Sequence, residues 1–322
     1  MNRRRFCQEA LAGSALAGLS TVRRAHPAQA NETAMPEGVL GRTGVRVSRL
    51  GLGCAQFGQS GRDITDDDVA RTLHRALELG VNYFDAAPNY GDSEEKMGHP
   101  VKEIRDKIFL VSKTEEATAE GTWRLLRQSL KRLQTDRLDL VHLHNFGYED
   151  RFYDPRLVLS DKGALGALRE AKKQGVIRFI GASGHLHPSR FHMALDTGEI
   201  DVLMNAVNFV AQHLYDFEHK VWSRAREMNL GLVAMKVLGG DYRKGYRVPA
   251  EEYERAIRYA LSIPGLSCAV IGMKSAAEVE QAARTVTQAA PMSDEERLAT
   301  YRRGLELAST KDWQTPYGEP MT

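Results

Sequence analysis

Val81-Asn82-Tyr83-Phe84-Asp85-Ala86-Ala87-Pro88-Asn89-Tyr90-Gly91 opens as a short apolar strand and stops abruptly at an acid. Pro88 and Gly91 punctuate the residues after it as a loop, which sets Asp85 at a strand's C-terminal end and Tyr90 just beyond it. In a barrel of alternating strands and helices, that edge is where chemistry is placed. If the rest of the chain supplies such a barrel, other titratable strand ends should meet this pair.

The chain does alternate. Strand-like runs fall at Leu50–Cys54, Asn82–Asp85, Ile108–Ser112, Leu138–His144, Ile177–Ala182, Val202–Phe209, Gly231–Lys236 and Cys268–Met273. Between and after them lie segments with apolar residues at three- and four-residue spacing: Asp66–Leu79, Glu94–Ile104, Glu120–Leu133, Lys162–Gln174, Pro188–Asp196, Phe217–Met228, Glu251–Ser262 and Ala276–Thr287. Eight strands, each followed by a helix, is the count of a (β/α)8 TIM barrel. An open doubly wound sheet competes, but no G-x-G-x-x-G follows the first strand. Val39 to Val47 reads as an N-terminal β-hairpin turning at Thr43-Gly44. Asp294–Ala308 reads as an extra amphipathic C-terminal helix packed outside the barrel, and the tail from Lys311 can reach the active-site rim.

Residues 1–30 read as a leader rather than as part of the fold, so residues 31–322 form one barrel domain. Arg3-Arg4-Arg5-Phe6 precedes a mildly apolar run from Ala10 to Leu19, and Ala28-Gln29-Ala30 gives an A-x-A cleavage site. This resembles a twin-arginine export signal, which implies the twin-arginine export machinery as a partner and a periplasmic or otherwise extracytoplasmic location. The protein is cytoplasmic if the leader does not operate. No later stretch reaches 18 apolar residues, so no stable membrane insertion is expected after cleavage. The formal charge of +2 includes +4 from five arginines and one glutamate in residues 1–30, leaving −2 for the remainder. That balance argues against a nucleic-acid partner. Cys7, Cys54 and Cys268 lie in no metal-ligand spacing, and Cys54 and Cys268 read as buried small hydrophobes at opposite ends of neighbouring strands.

Lys113 ends the third barrel strand and His144 the fourth, so Asp85, Tyr90, Lys113 and His144 leave three adjacent strands at one edge. A tyrosine with a pKa of about 10 is a poor proton donor or acceptor at neutral pH. A nearby ammonium should lower that value, and a carboxylate beside the ammonium keeps the lysine charged and in place. The histidine can orient a substrate carbonyl or relay the proton, as general acid–base work requires. His142 points to the same face one layer deeper and reads as structural.

These stretches resemble the aldo-keto reductase family over nearly the whole mature chain. The resemblance is carried by Gly41-Arg42-Thr43-Gly44, Val47 to Gly53, Phe84 to Gly91, Val111-Ser112-Lys113-Thr114, Asp139 to His144 and Gly175 to Ser183. It implies hydride transfer between a nicotinamide cofactor and an aldehyde, ketone or alcohol, including sugar-like substrates. It also implies Tyr90 as general acid, Lys113 and Asp85 tuning it, and His144 orienting the carbonyl.

The cofactor contacts it implies are less regular. Ser183 is followed by Gly184-His185 where the family has asparagine. Met204 stands at the family's glutamine, and Met235-Lys236 replaces an aromatic. Val237-Leu238-Gly239-Gly240 can bring backbone amides to a pyrophosphate. Gly272-Met273-Lys274-Ser275 opens a helix, where Lys274 favours NADP without excluding NAD. Two other readings stand beside this one: a non-catalytic nicotinamide-binding or regulatory protein, and a sugar epimerase or lyase working through a bound cofactor. No metal site is expected. Asn145 to Tyr148 and Trp313 to Tyr317 offer aromatics to a substrate pocket.

Overall fold

The computed structural model describes residues 34–59, 64–146, 154–239 and 247–314. The leader, Gly147-Tyr148, Gly240 and the tail beyond residue 314 lie outside the described residues. A short antiparallel hairpin pairs β1 (Glu37–Val39) with β2 (Arg46–Ser48). Eight parallel strands follow: β3 (Leu50–Gly53), β4 (Tyr83–Asp85), β5 (Phe109–Thr114), β6 (Leu138–Leu143), β7 (Ile177–Gly184), β8 (Val202–Ala206), β9 (Gly231–Met235) and β10 (Leu266–Gly272). They close as β10-β3-β4-β5-β6-β7-β8-β9, the (β/α)8 barrel expected.

Alternation decides what fills it. Tyr83, Phe109, Val111, Leu140, Val202, Met204, Val233, Met235, Cys268 and Val270 form one buried cluster, each on the inward parity of its strand. The opposite parity packs against the helices in a second, larger cluster. Leu40 and Val47 of the hairpin region join the inner cluster and close the barrel at the N-terminal ends of its strands. The hairpin can approach so closely because of its glycines. Gly41 has φ +48°, and a Cβ there would lie 2.3 Å from the Leu230 carbonyl carbon. With the bottom sealed, only the C-terminal rim is left for a ligand.

The helices form where the spacing places them, and their starts are chemically marked. Helix Asp66–Glu78 begins with a Thr65/Asp68 capping box and buries Val69, Leu73 and Ala76 against the sheet. Two segments depart from expectation. Phe217–Met228 is not one helix but two, Phe217–Lys220 and Trp222–Glu227, broken at Val221 (φ −125°). The break lets Val221 and Trp222 both turn inward, and the Trp222 indole N–H donates to Asn205 Oδ1 at 2.9 Å. The C-terminal helix Asp294–Ala308 packs outside the barrel as expected, but through a small-residue face. Thr300, Gly304 and Ala308 are buried, while Leu298, Tyr301 and Leu305 are half exposed. The reason is backbone proximity: a Cβ at Gly304 would lie 2.0 Å from the Phe209 carbonyl oxygen. Beyond it, helix Lys311–Gln314 turns Trp313 inward to line a small apolar cavity with Ala206, Asn208 and Lys236 at the ends of β8 and β9. Cys54 and Cys268 are both buried and unpaired thiols.

Candidate active site

Asp85 closes β4, where its backbone pairs with Val111 of β5. Lys113 lies two residues further along β5 and shares Val111's inward parity, so its side chain reaches across the mouth toward Asp85. The ammonium donates to Asp85 Oδ1 at 2.7 Å and to the Ala86 carbonyl at 2.8 Å. Both side chains are buried, 2% and 3% exposed. A pair so removed from water is tolerated because each charge is answered, and removing either leaves the other stranded.

Tyr90 follows in a turn closed by its N–H to the Ala87 carbonyl at 3.1 Å. Two glycines pin that turn. A Cβ at Gly58 would lie 1.9 Å from the Tyr90 carbonyl oxygen, and Gly91, at φ +62°, would put one 2.5 Å from Gly58 O. The half-buried phenol ring stands with Lys113 Nζ 4.8 Å from its centroid and the His144 ring edge-on at 6.1 Å. His144, just past β6, is held by its N–H to the Thr114 carbonyl at 2.8 Å. Asn145 follows in the left-handed conformation that asparagine tolerates, φ 57°. The four groups named from the sequence thus come together at one rim.

Their electrostatics differ from expectation in one respect. The Lys113 ammonium does pull the Tyr90 phenol down, but burial outweighs it, and the phenol is pushed up to about 12. Burial would also lower Lys113, yet Asp85 and Tyr90 together hold it above the ordinary lysine value. His144 is held below the usual imidazole range by burial, against the pull of Glu115. His142 is fully buried, with neither ring nitrogen partnered among the described residues, and burial holds it far below the usual range. Gly181 makes its room, since a Cβ there would lie 2.3 Å from His142 Nδ1.

The residues expected on the cofactor side lie along the rim from β7 to β10. Ser183 is fully buried and its hydroxyl has no partner among the described residues. Met204, paired with Ser183 in the sheet, and Met235 are buried on β8 and β9. Lys236 takes φ 57° and, with Leu238, forms a turn closed by Gly239 N–H to Lys236 O at 2.7 Å. Gly272 ends β10 in an exposed position. Ser275 N-caps helix Ala276–Thr287, accepting from Glu278 N–H at 3.3 Å. The Glu278 carboxylate returns to accept from Lys274 N–H at 2.9 Å and lies 3.4 Å from its ammonium.

Residues not singled out in the sequence complete the other side. One oxygen of Glu115, Oε1, accepts from Asn89 Nδ2 at 2.7 Å and Asn145 Nδ2 at 2.9 Å. The same oxygen lies 3.1 Å from His144 Nδ1, a close contact rather than a formed hydrogen bond. The signal was adjacency: Asn89 precedes Tyr90, Asn145 follows His144, and Glu115 stands two residues after Lys113. Among the described residues no group of three histidine, cysteine or acidic side chains is placed to hold a metal. No described helix is long and apolar enough to cross a membrane.

A closed parallel barrel with buried titratable groups at the C-terminal ends of its strands is the architecture of many enzymes. The model of the aldo/keto reductase family matches residues 49–255, and the chain belongs to that family. L-galactose dehydrogenase of Arabidopsis thaliana is 27% identical over 317 residues, covering 85% of this chain and 95% of the relative. D-threo-aldose 1-dehydrogenase of a Pseudomonas species is 24% identical over 262 residues, covering 67% and 77%. A putative aldo-keto reductase structure from Pseudomonas aeruginosa superposes with a TM-score of 0.65 at 28% identity, covering 79% of this chain and 95% of that one. Family and relatives together support an oxidoreductase.

Proposed function

We propose that this protein transfers hydride between a nicotinamide dinucleotide and a small polyhydroxylated carbonyl or the corresponding alcohol. The observation carrying the proposal is the buried Lys113 ammonium, bonded to Asp85 Oδ1 at 2.7 Å and set 4.8 Å from the centre of the Tyr90 ring. A phenol pushed up to about 12 keeps its proton at neutral pH and gives it up only to a strongly basic oxygen. Such an oxygen develops as a carbonyl is reduced. Lys113 then stands against the phenolate formed, and Asp85 keeps the ammonium in place. His144 orients the substrate oxygen. The sugar class is supported by the two relatives named for aldose or galactose oxidation.

When bound, the nicotinamide supplies or accepts the hydride. The residues present fit such a group: the Ser183 hydroxyl, without a partner among the described residues and beside Met204, suits a carboxamide, with Met235 and Lys236 at the end of β9 on the same rim. Leu238 and Gly239 offer a turn to the pyrophosphate, and Gly272, Lys274 and Ser275 a helix start to the adenosine end. Lys274 supports NADP, whereas Glu278 at 3.4 Å from it supports NAD. Calorimetric titration with each dinucleotide decides between them.

Tyr90→Phe, assayed against aldoses and short aldehydes, should lose about a thousandfold in turnover with dinucleotide affinity kept. Unchanged turnover would remove the mechanism. We also propose that residues 1–30 direct twin-arginine export to the periplasm, for which Arg3 to Phe6 and Ala28-Gln29-Ala30 are the support. Replacing Arg3 and Arg4 by lysine should retain the tagged protein in the cytoplasm, and unaltered export would refute the assignment.

A further inference from the structure

Helix Asp294–Ala308 carries its large apolar residues on the side away from the barrel, the reverse of an ordinary surface helix. Thr300, Gly304 and Ala308 are buried, whereas Leu298, Tyr301 and Leu305 stand 50%, 50% and 52% exposed. Spaced by three and four residues, these three form one stripe. Asp294, Glu295 and Arg302 flank it at the same spacing and are also exposed. The charges of this helix divide by face. Off the stripe each has a partner: Glu296 with Arg258, Arg297 with Ser262, Arg303 with Glu252 and Glu306 with Arg303. Beside the stripe, Asp294, Glu295 and Arg302 make no side-chain hydrogen bond or ion pair among the described residues. The exposed Tyr301 ring is nonetheless held in place. The His213 ring stands edge-on to it with centroids 4.5 Å apart, and His213 Nε2 lies 3.1 Å from the Tyr301 carbonyl oxygen.

We propose that this face is an interface between two copies of the chain, paired antiparallel through helix Asp294–Ala308 about a two-fold axis at Leu298. The charges select both the partner and the direction. A parallel pair would set the acidic turn of one copy against that of the other. In an antiparallel pair each Leu298 meets its counterpart. Glu295 of one copy then lies opposite Arg302 of the second, and Asp294 opposite Tyr301. Two-fold symmetry makes each contact twice. The acids without a partner take the arginine without one, and the Tyr301 hydroxyl gains a carboxylate to donate to. Leu305 covers the residues that precede the helix of the other copy. Because His213 already holds Tyr301, little side-chain freedom is lost there on association. A single helix pair buries less than the roughly 1,600 Å² of a standard interface, so the dimer should be reversible, with a Kd on the order of micromolar. None of these residues belongs to the rim, so the proposal stands apart from the oxidoreductase reading.

Sedimentation velocity of the full-length protein across the micromolar range tests this. The mass should rise from that of one chain toward that of two as concentration increases. Leu298→Glu sets two carboxylates against each other at the axis and should weaken dimerisation about a hundredfold. Glu295→Arg and Arg302→Glu should each weaken it about tenfold, because every change acts at two symmetric contacts. Combined in one chain, the two reversals place opposite charges across the interface again, and the double variant should dimerise within about threefold of the unaltered protein. A monomer at every concentration would overturn the proposal. Dimerisation that survives Leu298→Glu would equally overturn it, by placing the contact elsewhere, residues 1–30 included. A double variant no better than the worse single one would contradict the antiparallel pairing.

Discussion

The rim from β4 to β6 and the rim from β7 to β10 belong to one barrel but are built differently. On the first, Asp85, Lys113 and Glu115 answer charge with charge or hydrogen bond, and Tyr90 and His144 stand against them. On the second, Ser183 has an unanswered hydroxyl, Met204 and Met235 are apolar, and Lys236 and Gly239 make a turn. On the first rim the Asp85 and Lys113 charges are answered within the protein. The second leaves a polar atom and a turn to be used by something else, as a binding surface for a dinucleotide would.

The largest consequence falls on the wired side. Lys113→Met should strand the Asp85 carboxylate and cost about 3–5 kcal/mol of stability, read as a fall in thermal midpoint, together with a hundredfold or greater loss of turnover on the order expected for a proton-transfer group. A variant of ordinary stability would mean that Asp85 is not dependent on Lys113. Beneath that rim, His142 is kept neutral by burial. The unfolded chain takes up a proton that the folded one refuses, so stability should fall as the pH drops below about 6.5, by about 1.4 kcal/mol per pH unit. Chemical denaturation at pH 7.5, 6 and 5 checks this, and His142→Gln should flatten the slope. An unchanged slope would place the acid sensitivity elsewhere. The smallest effect belongs to the open side. Ser183→Ala removes an atom with no partner, so stability should barely move, while dinucleotide affinity falls about three- to tenfold, the worth of one hydrogen bond. A large destabilisation would show that Ser183 is structural.

The same division explains what could be read from the sequence. Inward parity and strand ends follow from a period of two, so counting places Asp85, Lys113 and His144, and the loop marked by Pro88 and Gly91 places Tyr90. What depends on packing was not legible. The Tyr90 phenol was expected to drop beside an ammonium, but its net position depends on desolvation, which only the assembled rim determines. Glu115 escaped notice because its partners Asn89 and Asn145 come from other loops. The C-terminal helix is legible from its spacing, but which face packs is not. Gly304 against Phe209 O outweighs the apolar pull of Leu298, Tyr301 and Leu305. The break at Val221 was invisible because helical spacing continues on both sides of it.

Central to all this is that the phenol and the ammonium work as one unit. A double-mutant cycle measures it directly, comparing turnover of Tyr90→Phe, Lys113→Met and the two combined with that of the unaltered protein. If they act together, the double variant should be no slower than the worse single one by more than about threefold, since groups acting as a unit are lost together. Losses that multiply would mean that Tyr90 and Lys113 contribute independently, and the account of the rim would fail.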